Sequence, residues 1–454
     1  MKKTKIRFTT TRIIMLGFFI GLLTGAILLT LPIASADGTP ADFLDALFVS
    51  TSAICVTGLS TVVTATEWSL FGQIVIVVLI QFGGLGFVTI MTTMLLLLKQ
   101  RITLSERLLI QEAYNLDTLG GLVKVTKSVV KGTLLVEGVG AVFYFFCFVG
   151  DYGAKAVWYA VFHAVSAFCN AGLDLIGATN FVPYRTNVPV NLITMSLIVL
   201  GGIGFPVWRD VLHKAKLVKE REISIRCFFR RLTLHSKLAI TVTVGLIFGG
   251  ALLFLLLEYR NPETMGDLSF GQKVMASLFQ SVTTRTAGFQ TVPQEKLTPA
   301  SGFLTIVLMF IGGSPSSTAG GVKTVTVAVL VFAALSVICG KRDVEVFGRR
   351  IPEGFLRKAL AVFSLSFFCM LVGTLLLSAT HGWSVQEALY EVVSALATVG
   401  LSCNKTAELN ELGKLVITLC MYLGRIGPIT LALSLQSGRR KGVRELPEGK
   451  VMIG

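Results

Sequence analysis

Four stretches of this 454-residue chain carry a glycine at the same place. They read ALFVSTSAICVTGL (46–59), AVFHAVSAFCNAGL (160–173), ASLFQSVTTRTAGF (276–289) and ALYEVVSALATVGL (388–401). Each begins with alanine, and a glycine follows twelve positions later, at Gly58, Gly172, Gly288 and Gly400. Glycine reaches positive φ without a Cβ clash, so four such loops can turn backbone carbonyls toward one axis. A ring of carbonyl oxygens can replace the hydration shell of a cation.

A second glycine motif recurs in phase with the first and indicates how the loops are positioned. It reads GGLG (83–86), GGIG (201–204), GGSP (312–315) and GRIG (424–427), and it follows the preceding glycine by 24 to 29 residues. Each repeat therefore predicts a span, a short amphipathic segment, a glycine-terminated loop and a second span. The short segments are too short to cross a bilayer and are best explained as re-entrant helices. The alternative for Gly58, Gly172, Gly288 and Gly400 is that they only allow close helix packing, as expected for GFFIGLLTG at 17–25.

Composition places the chain in a membrane. Hydrophobic residues make up 53% of it and charged residues only 15%, whereas soluble proteins are about one-quarter charged. A crossing helix needs about 20 apolar residues. Eight segments satisfy this requirement with at most one charged residue each: 13–35, 69–98, 132–150, 186–207, 238–257, 302–339, 359–380 and 415–438.

The net charge of +15 gives the orientation of these crossings. Thirty-one of the 41 Lys and Arg residues lie in five alternate segments, at 1–12, 99–131, 208–237, 341–358 and 439–454. Positive residues concentrate in cytoplasmic loops, so these segments and both termini are expected in the cytoplasm. The basic excess is expected to be an orientation signal with some lipid headgroup contact, and not a nucleic-acid footprint.

The predicted fold class is an all-α integral membrane protein. Four covalently linked span–pore-helix–span units surround a pseudo-fourfold axis, with eight transmembrane helices and four re-entrant pore loops. The predicted units cover residues 1–110, 111–225, 226–345 and 346–454, the third with an intramembrane loop and the fourth with a cytosolic C-terminal tail.

Residues 312–323, GGSPSSTAGGVK, interrupt an apolar run of almost twice the crossing length. A polar break at membrane depth survives only inside protein or beside a water-filled cavity. Arg425 aligns with Gly313 in the fourfold register, and an intramembrane arginine is a functional hypothesis by default. We expect Arg425 to donate to loop carbonyls or serine hydroxyls, as an electrostatic barrier or as a tether between helices. Lys323 marks the cytosolic end of the loop, Arg285 is expected near the water-exposed outer mouth, and Glu137 has no partner that the sequence names.

At these residues the chain resembles the Trk/Ktr/HKT superfamily of potassium transporters, and is closest to its Ktr-type membrane subunits. The resemblance extends over nearly the whole chain. It is carried by VTGL (56–59), NAGL (170–173), TRTAGF (284–289), GGSPSSTAGGVKT (312–324), TVGL (398–401) and GRIGP (424–428).

The resemblance implies a potassium filter at the four glycines and a gate at the intramembrane loop. Relatives that prefer sodium commonly have serine at the first filter glycine, so Gly58 favours potassium. Cys55 stands where the family has threonine. The implied filter residues are Cys55, Val56, Thr57, Gly58, Cys169, Asn170, Ala171, Gly172, Arg285, Thr286, Ala287, Gly288, Ala397, Thr398, Val399 and Gly400. The implied gate residues are Gly312, Gly313, Ser314, Pro315, Ser316, Ser317, Thr318, Ala319, Gly320, Gly321, Lys323 and Arg425.

The resemblance also implies partners. They are a second copy of the chain in a homodimer, the lipid bilayer of a bacterial plasma membrane, and a KtrA-like cytosolic ring that binds ATP or ADP. No covalent cofactor is expected; K⁺ is the cargo, and Na⁺ is an expected activator. The closing GKVMIG could dock the ring or could be a frayed tail.

Three other functions remain alternatives. Sodium could be the main cargo. A sodium-coupled organic-solute symporter is disfavoured, because it would show inverted repeats and midplane carboxylates. A membrane enzyme lacks support, since the sequence has no HExxH, GxSxG or GxxxxGK[ST] motif.

Overall fold

The structure is a computed structural model that describes residues 10–98 and 121–427, together with 107 and 111. Fifteen helices of eleven residues or more lie in the described residues. They are α1 (Thr10–Thr30), α2 (Phe43–Cys55), α3 (Leu70–Leu85), α4 (Phe87–Leu97), α5 (Leu122–Tyr152), α6 (Ala156–Cys169), α7 (Val188–Gly202), α8 (Phe205–Lys219), α9 (Leu234–Glu258), α10 (Phe270–Thr283), α11 (Pro299–Phe310), α12 (Thr324–Ile338), α13 (Glu353–His381), α14 (Val385–Leu396) and α15 (Glu411–Ile426).

Short elements connect these helices. Two α-helices of four residues cover Thr64–Glu67 and Phe228–Arg231. One antiparallel hairpin pairs β1 (Glu345–Val346) with β2 (Arg349–Arg350), between α12 and α13. Single 3₁₀ turns lie at Pro32–Ala34, Gly153–Lys155, Val182–Tyr184, Ile225–Cys227, Gln294–Lys296 and Thr406–Glu408.

The helices repeat in groups that follow the glycine repeats. Each group has a long first helix (α1, α5, α9, α13), a short helix (α2, α6, α10, α14) and a second helix that begins at α3, α7, α11 or α15. The short helices have 12 to 14 residues and end just before the repeated glycines. They are buried along their C-terminal halves, which places the four repeated loops inside the protein.

The same capping device starts all four second helices. A polar side chain at the N-cap accepts a hydrogen bond from the backbone N–H three residues later, which satisfies one of the free donors of a helix start. The pairs are Ser69 with Gly72, Asn187 with Val190, Thr298 with Ser301, and Asn410 with Gly413. The sequence therefore sets where the chain turns back into a helix after each loop.

The described helices differ from eight uninterrupted crossings. Within residues 10–98 and 121–427, four helical segments are long and apolar enough to cross a membrane, and two bent helix pairs raise the number to six. The first helix of every group is long enough to cross a membrane, whereas the second helices are broken or short. The α3–α4 pair bends by 102° and the α7–α8 pair by 98°. The eight-crossing arrangement and the four unit boundaries stay predictions.

A glycine with positive φ lies at each bend. Gly86 has φ 82° between α3 and α4, and Gly204 has φ 97° between α7 and α8. These are the last glycines of GGLG and GGIG. The predicted spans 69–98 and 186–207 are therefore not straight helices. The second span of the third repeat, predicted at 302–339, separates into α11 and α12, and residues 312–323 lie between these two helices.

The first glycine of the second motif packs against a carbonyl in three of the four groups. The carbonyl belongs to the residue that stands eight positions after the opening alanine of the same repeat. A Cβ added at the glycine would lie less than 3.0 Å from this carbonyl oxygen, which is closer than real Cβ atoms approach. The pairs are Gly83 with Ile54, Gly201 with Phe168, and Gly424 with Leu396. In the third group the carbonyl that faces Gly312 belongs instead to Gly320 of the loop. In the first, second and fourth groups these contacts hold the second helix against its own short helix.

Polar bonds join neighbouring groups around the ring. Trp158 donates to Gln73, the backbone N–H of Gln290 donates to Asn180, Tyr390 donates to Gln294, and Lys414 forms an ion pair with Asp45. They link the first group to the second, the second to the third, the third to the fourth, and the fourth back to the first. The four groups thus form a closed ring.

The glycine contacts predict a stability effect at Gly201. In Gly201→Ala the new methyl group must displace the Phe168 carbonyl, so we expect a loss of about 1–3 kcal/mol in the free energy of unfolding. Gly249→Ala in α9 is the matched control, because a Cβ there meets nothing within 4 Å. The measurement is the thermal unfolding midpoint of the purified proteins in detergent. Equal midpoints for the two variants would contradict the role of the Gly201 contact.

Candidate cation filter and gate

The four repeated glycines approach one another in a closed cycle. A Cβ on any of them would lie within 3.0 Å of the carbonyl oxygen that precedes the glycine of the next repeat. The contacts run from Gly58 to Ala171, from Gly172 to Ala287, from Gly288 to Val399, and from Gly400 to Thr57. The sequence repeats are therefore brought together as neighbours in chain order, and the fourth meets the first.

The backbone of the four loops follows one pattern. The glycines have φ values of 94°, 67°, 80° and 92° at Gly58, Gly172, Gly288 and Gly400. Two residues earlier, the non-glycine residues Val56, Asn170, Thr286 and Thr398 also have positive φ, between 53° and 63°. Non-glycine residues rarely adopt this conformation, and where they do the strain is commonly associated with a functional site. The single residue between this position and the glycine does not have positive φ in any of the four loops. The sign of φ therefore alternates along each loop.

Three of the short helices end in the same hydrogen-bonded motif. A backbone N–H returns to a serine carbonyl five residues earlier: Thr57 to Ser52 at 2.8 Å, Ala171 to Ser166 at 2.7 Å, and Val399 to Ser394 at 2.8 Å. The third repeat differs, because Ala287 donates to Thr283 at 3.0 Å. All four helix C-termini, with their partial negative charge, are directed into the glycine loops.

Serine hydroxyls brace the loops, and the sequence analysis did not identify them. Ser52 accepts from the Gly58 N–H at 3.0 Å, and Ser394 accepts from the Gly400 N–H at 3.1 Å. Ser166 donates to the Leu173 carbonyl at 2.7 Å. The sequence does contain a signal for these serines, because each of them stands six positions after the opening alanine of its repeat.

The predicted filter side chains are buried, and several have no polar partner. The hydroxyls of Thr57, Thr286 and Thr398 are without a hydrogen-bond partner among the described residues. Cys55 and Cys169 are both buried at the ends of their short helices. The loops therefore present backbone groups to one another, and no carboxylate stands among the sixteen predicted filter residues.

Arg285 was expected near a water-exposed mouth, and that expectation is wrong. Its side chain is only 6% exposed, and it donates to the backbone carbonyl of Thr243 in α9 at 3.3 Å. A small space beside it is lined by residues that include Gly202 and Gly313. Arg285 thus points from the third loop into the packing behind it, because the third short helix ends differently from the other three.

The predicted gate residues form a loop that is held by backbone hydrogen bonds. Gly312 N–H donates to Val322 at 2.9 Å, which ties the two ends of the loop together. Ser314 N–H donates to Gly202 at 2.9 Å, and Phe205 N–H donates to Ser316 at 3.0 Å. The loop is therefore bonded to both sides of the α7–α8 bend. Ser317 also donates to Ser314 within the loop, at 2.7 Å.

The middle of the loop lies against the inner ends of two filter loops. Thr318 donates to the carbonyl of Phe168, the next-to-last residue of α6, at 3.2 Å. A Cβ at Gly320 would collide with the Thr398 hydroxyl and would lie 2.9 Å from the Ala397 carbonyl. Both contacts are with residues that precede the filter glycines, where the short helices end.

Two cations hold three consecutive carbonyls of the loop. Arg425 donates to the carbonyls of Thr318 and of Gly83, so it joins the fourth group to the loop and to the first group. Lys323 donates to Ala319 at 2.6 Å and to Gly320 at 3.3 Å. The expected donation from Arg425 to a loop carbonyl is present in the structure, and its second bond, to Gly83, was not foreseen.

A cavity of about 220 Å³ lies beside this part of the loop. Lys323 and Arg425 form part of its wall, together with Ser366 of α13 and Thr326 of α12. These four polar side chains stand in an otherwise mostly apolar wall, and the volume is large enough for several water molecules. The two cations that hold the loop therefore face a space that can be wet.

Glu137 has partners that the sequence could not name. It is 4% exposed in α5 and accepts a hydrogen bond from Gln81 of α3 at 3.2 Å. The Cys169 thiol lies 3.7 Å from Glu137 and from Gln81. The three side chains link the first and second groups beside the second filter loop.

Arg425 is predicted to protect the loop from opening. In Arg425→Gln the charge and one of two hydrogen bonds are lost, and a bond from a charged group contributes about 1.5–3 kcal/mol. Amide hydrogen exchange in residues 312–323 is therefore expected to accelerate by roughly 10- to 100-fold. Lys414→Gln, on the same helix but in the ion pair with Asp45, is the control. Equal exchange in wild type and Arg425→Gln would show that Arg425 does not hold the loop.

Comparisons with known proteins identify the family. Residues 2–439 match the TrkH family of cation transport proteins. The potassium/sodium uptake protein NtpJ of Enterococcus hirae is 38% identical over 462 residues, which cover 100% of this chain and 99% of NtpJ. The Ktr system potassium uptake protein B of Bacillus subtilis is 37% identical over 450 residues, with 99% and 98% of the two chains covered.

A solved structure supports the same fold. The crystal structure of the potassium transporter TrkH from Vibrio parahaemolyticus matches with a TM-score of 0.71 at 20% sequence identity, over 96% of this chain and 86% of that one. The family is one of transporters and not of enzymes. With four glycine loops closed into a cycle and a sequence match over almost its whole length, the chain belongs to the TrkH family of cation transport proteins.

Proposed function

We propose that this chain is the potassium-translocating membrane subunit of a Ktr-type uptake system. The observation that carries the proposal is the closed cycle of Gly58, Gly172, Gly288 and Gly400. The relatives described as potassium uptake proteins share more than a third of its residues over their whole length. A single chain then supplies all four walls of one cation pathway.

In this proposal the filter binds K⁺ through backbone carbonyls. The alternating sign of φ along each loop turns neighbouring carbonyls toward the same side, and the four loops together offer rings of oxygen atoms. The C-termini of four short helices add partial negative charge at the inner end. A cation can thus lose its water without meeting a fixed carboxylate, which would hold it too tightly to release.

The loop at 312–323 is the proposed gate. Its middle lies against Phe168 and Thr398, at the inner ends of the second and fourth filter loops. Lys323 and Arg425 place two positive charges beside it, which oppose the passage of a cation. For the gate to open, the carbonyls of Thr318, Ala319 and Gly320 must replace their hydrogen bonds from Arg425 and Lys323 with bonds from other donors.

The membrane arrangement belongs to the same proposal. Eight crossings, four re-entrant pore loops and cytoplasmic termini in a bacterial plasma membrane are supported by the distribution of Lys and Arg. The apolar first helix of every group supports it as well, with many exposed large side chains that suit contact with lipid.

We also propose partners for this subunit. The relatives named as parts of a Ktr system support an assembly with further subunits. We expect a homodimer and a KtrA-like cytosolic ring that carries ATP or ADP, with Na⁺ as an activator. The C-terminal GKVMIG, the proposed contact with the ring, lies outside the described residues.

Sodium is a second candidate cargo. The relative from Enterococcus hirae is described as a potassium/sodium uptake protein. Carbonyl rings coordinate both ions, so the choice depends on the size and rigidity of the filter. The glycine at position 58 favours potassium, and a direct comparison of the two fluxes decides between the cargoes.

Gly58→Ser tests the filter. Wild type is expected to restore growth at low potassium in bacteria that lack their own uptake systems. Because position 58 has φ 94° and faces the Ala171 carbonyl, a side chain there must distort the filter. We expect the ratio of K⁺ to Na⁺ uptake to fall on the order of tenfold, equivalent to about 1.4 kcal/mol.

Gly249→Ser, at an open position in α9, is the control for this experiment. It is expected to keep the wild-type ratio. If Gly58→Ser also keeps that ratio, the glycine cycle serves packing rather than selection. If wild type moves sodium and not potassium, the sodium alternative replaces the proposal.

Deletion of residues 313–320 tests the gate. The deletion removes the segment that lies against the second and fourth filter loops, so K⁺ uptake is expected to rise on the order of tenfold, as it would for a barrier lowered by about 1.4 kcal/mol. Uptake is measured with and without the regulatory ring, at equal amounts of protein in the membrane. Unchanged or lower uptake by a correctly inserted deletion variant would mean that the loop does not obstruct the pathway.

A further inference from the structure

Helix α8 runs across the direction of the helix before it. The angle between α7 and α8 is 98°, and the turn occurs at Gly204. If α7 follows the membrane normal, as the proposed function requires, α8 lies close to the plane of the membrane. Its sequence, FPVWRDVLHKAKLVK, falls in the basic segment that the charge distribution assigns to the cytoplasm.

Hydrogen bonds at three of its residues attach α8 to its surroundings. The N–H of Phe205, its first residue, donates to the Ser316 carbonyl of the gate loop at 3.0 Å. The Trp208 indole donates to Leu200 in α7 at 3.0 Å. Asp210 accepts from the N–H of Thr233 at 2.8 Å, immediately before α9. A displacement of α8 therefore pulls directly on the gate loop.

The opposite face of α8 is basic and includes one exposed leucine. Arg209, Leu212, Lys216 and Lys219 are all exposed, Leu212 to 65%. Their spacing of three, four and three residues places them on one face of the helix. Lys216 forms an exposed ion pair with Glu220 at 3.5 Å, and such pairs contribute little. Among the described residues, no carboxylate forms an ion pair with Arg209 or Lys219.

These features are those of a helix that lies in a membrane interface. Such helices place apolar side chains at the level of the acyl chains and Lys or Arg at the headgroups. The cytoplasmic leaflet carries anionic lipids, and each nearby Lys or Arg strengthens binding about fivefold. The segment 208–237 has nine Lys or Arg residues against three Asp or Glu. Charge complementarity therefore favours an anionic lipid surface as the occupant of this face.

We propose that α8 binds the phosphate headgroups of anionic phospholipids through Arg209, Lys216 and Lys219, and that this contact steadies the gate loop through the bond from Phe205 to Ser316. The inference rests on the proposed function for the position of α8 in the membrane. Lipid bound to α8 stabilises the loop conformation that is seen here, whereas its loss frees the start of the helix.

The test compares the full-length protein in nanodiscs of phosphatidylcholine alone and of phosphatidylcholine mixed with phosphatidylglycerol. The readout is amide hydrogen exchange of residues 312–323. Phosphatidylglycerol is expected to slow this exchange at least fivefold in the wild type. The triple variant Arg209→Gln, Lys216→Gln, Lys219→Gln is expected to exchange at the same rate in both membranes.

A second triple variant provides a control of equal charge. Lys124→Gln, Lys127→Gln, Lys131→Gln removes three exposed lysines from α5, and it is expected to keep the wild-type response. The proposal is overturned if wild type shows no effect of phosphatidylglycerol, if the α8 variant keeps the effect, or if both triple variants lose it. It is also overturned if soluble glycerol phosphate reproduces the effect, since free phosphate would then suffice.

Native mass spectrometry of the same proteins tests whether a second copy of the chain, and not lipid, occupies this face. Loss of bound phosphatidylglycerol at an unchanged oligomeric mass is expected for the α8 variant. A change from dimer to monomer would instead assign the face to a second copy of the chain and overturn the proposal. Because exchange and lipid binding do not require transport, absence of K⁺ uptake by the wild type would contradict the proposed function and leave this result standing.

Discussion

Contacts between glycines and carbonyl oxygens determine how this fold closes. At Gly58, Gly172, Gly288 and Gly400 the backbone of one repeat approaches the next more closely than any side chain permits. A second set, at Gly83, Gly201 and Gly424, holds the second helix of the first, second and fourth groups against its own short helix. Irregular backbone at membrane depth must be enclosed by protein or water. The two sets meet this requirement by burying every repeated loop against another loop or helix.

The third repeat departs from the others for a connected set of reasons. Gly312 packs against Gly320 instead of against its own short helix, because the loop occupies that place. The end of α10 also lacks the serine motif, and Ala287 bonds to Thr283. Arg285, which stands in this altered turn, points into the packing near Gly313. Asymmetry in one repeat thus joins the third glycine loop and the proposed gate loop within a ring that is otherwise nearly fourfold.

Part of this arrangement could be predicted from the sequence, and part could not. Four repeats that carry glycine at the same position predict that their loops are neighbours. The reason is that glycine is required at all four positions only if the loop backbones approach one another closely. The polar run at 312–323 likewise predicts a broken helix. The bends after Gly86 and Gly204 were not predicted, because apolar residues continue through the first and the sign of φ cannot be read from composition. The burial of Arg285 and the partners of Glu137 depend on helices distant in sequence, which local spacing does not reveal.

The hydrogen bonds of the loop at 312–323, the proposed gate, also limit how it can move. Thr318, Ala319 and Gly320 have their carbonyls bound by Arg425 and Lys323, and an unpartnered carbonyl at this depth costs about 1–3 kcal/mol. The loop can therefore leave its place only if new donors arrive as the old ones separate. Both cations line the cavity of about 220 Å³, where water can supply those donors. Movement of the loop then depends on hydration of this cavity, and in the proposed function the same water screens the two charges that oppose a passing cation.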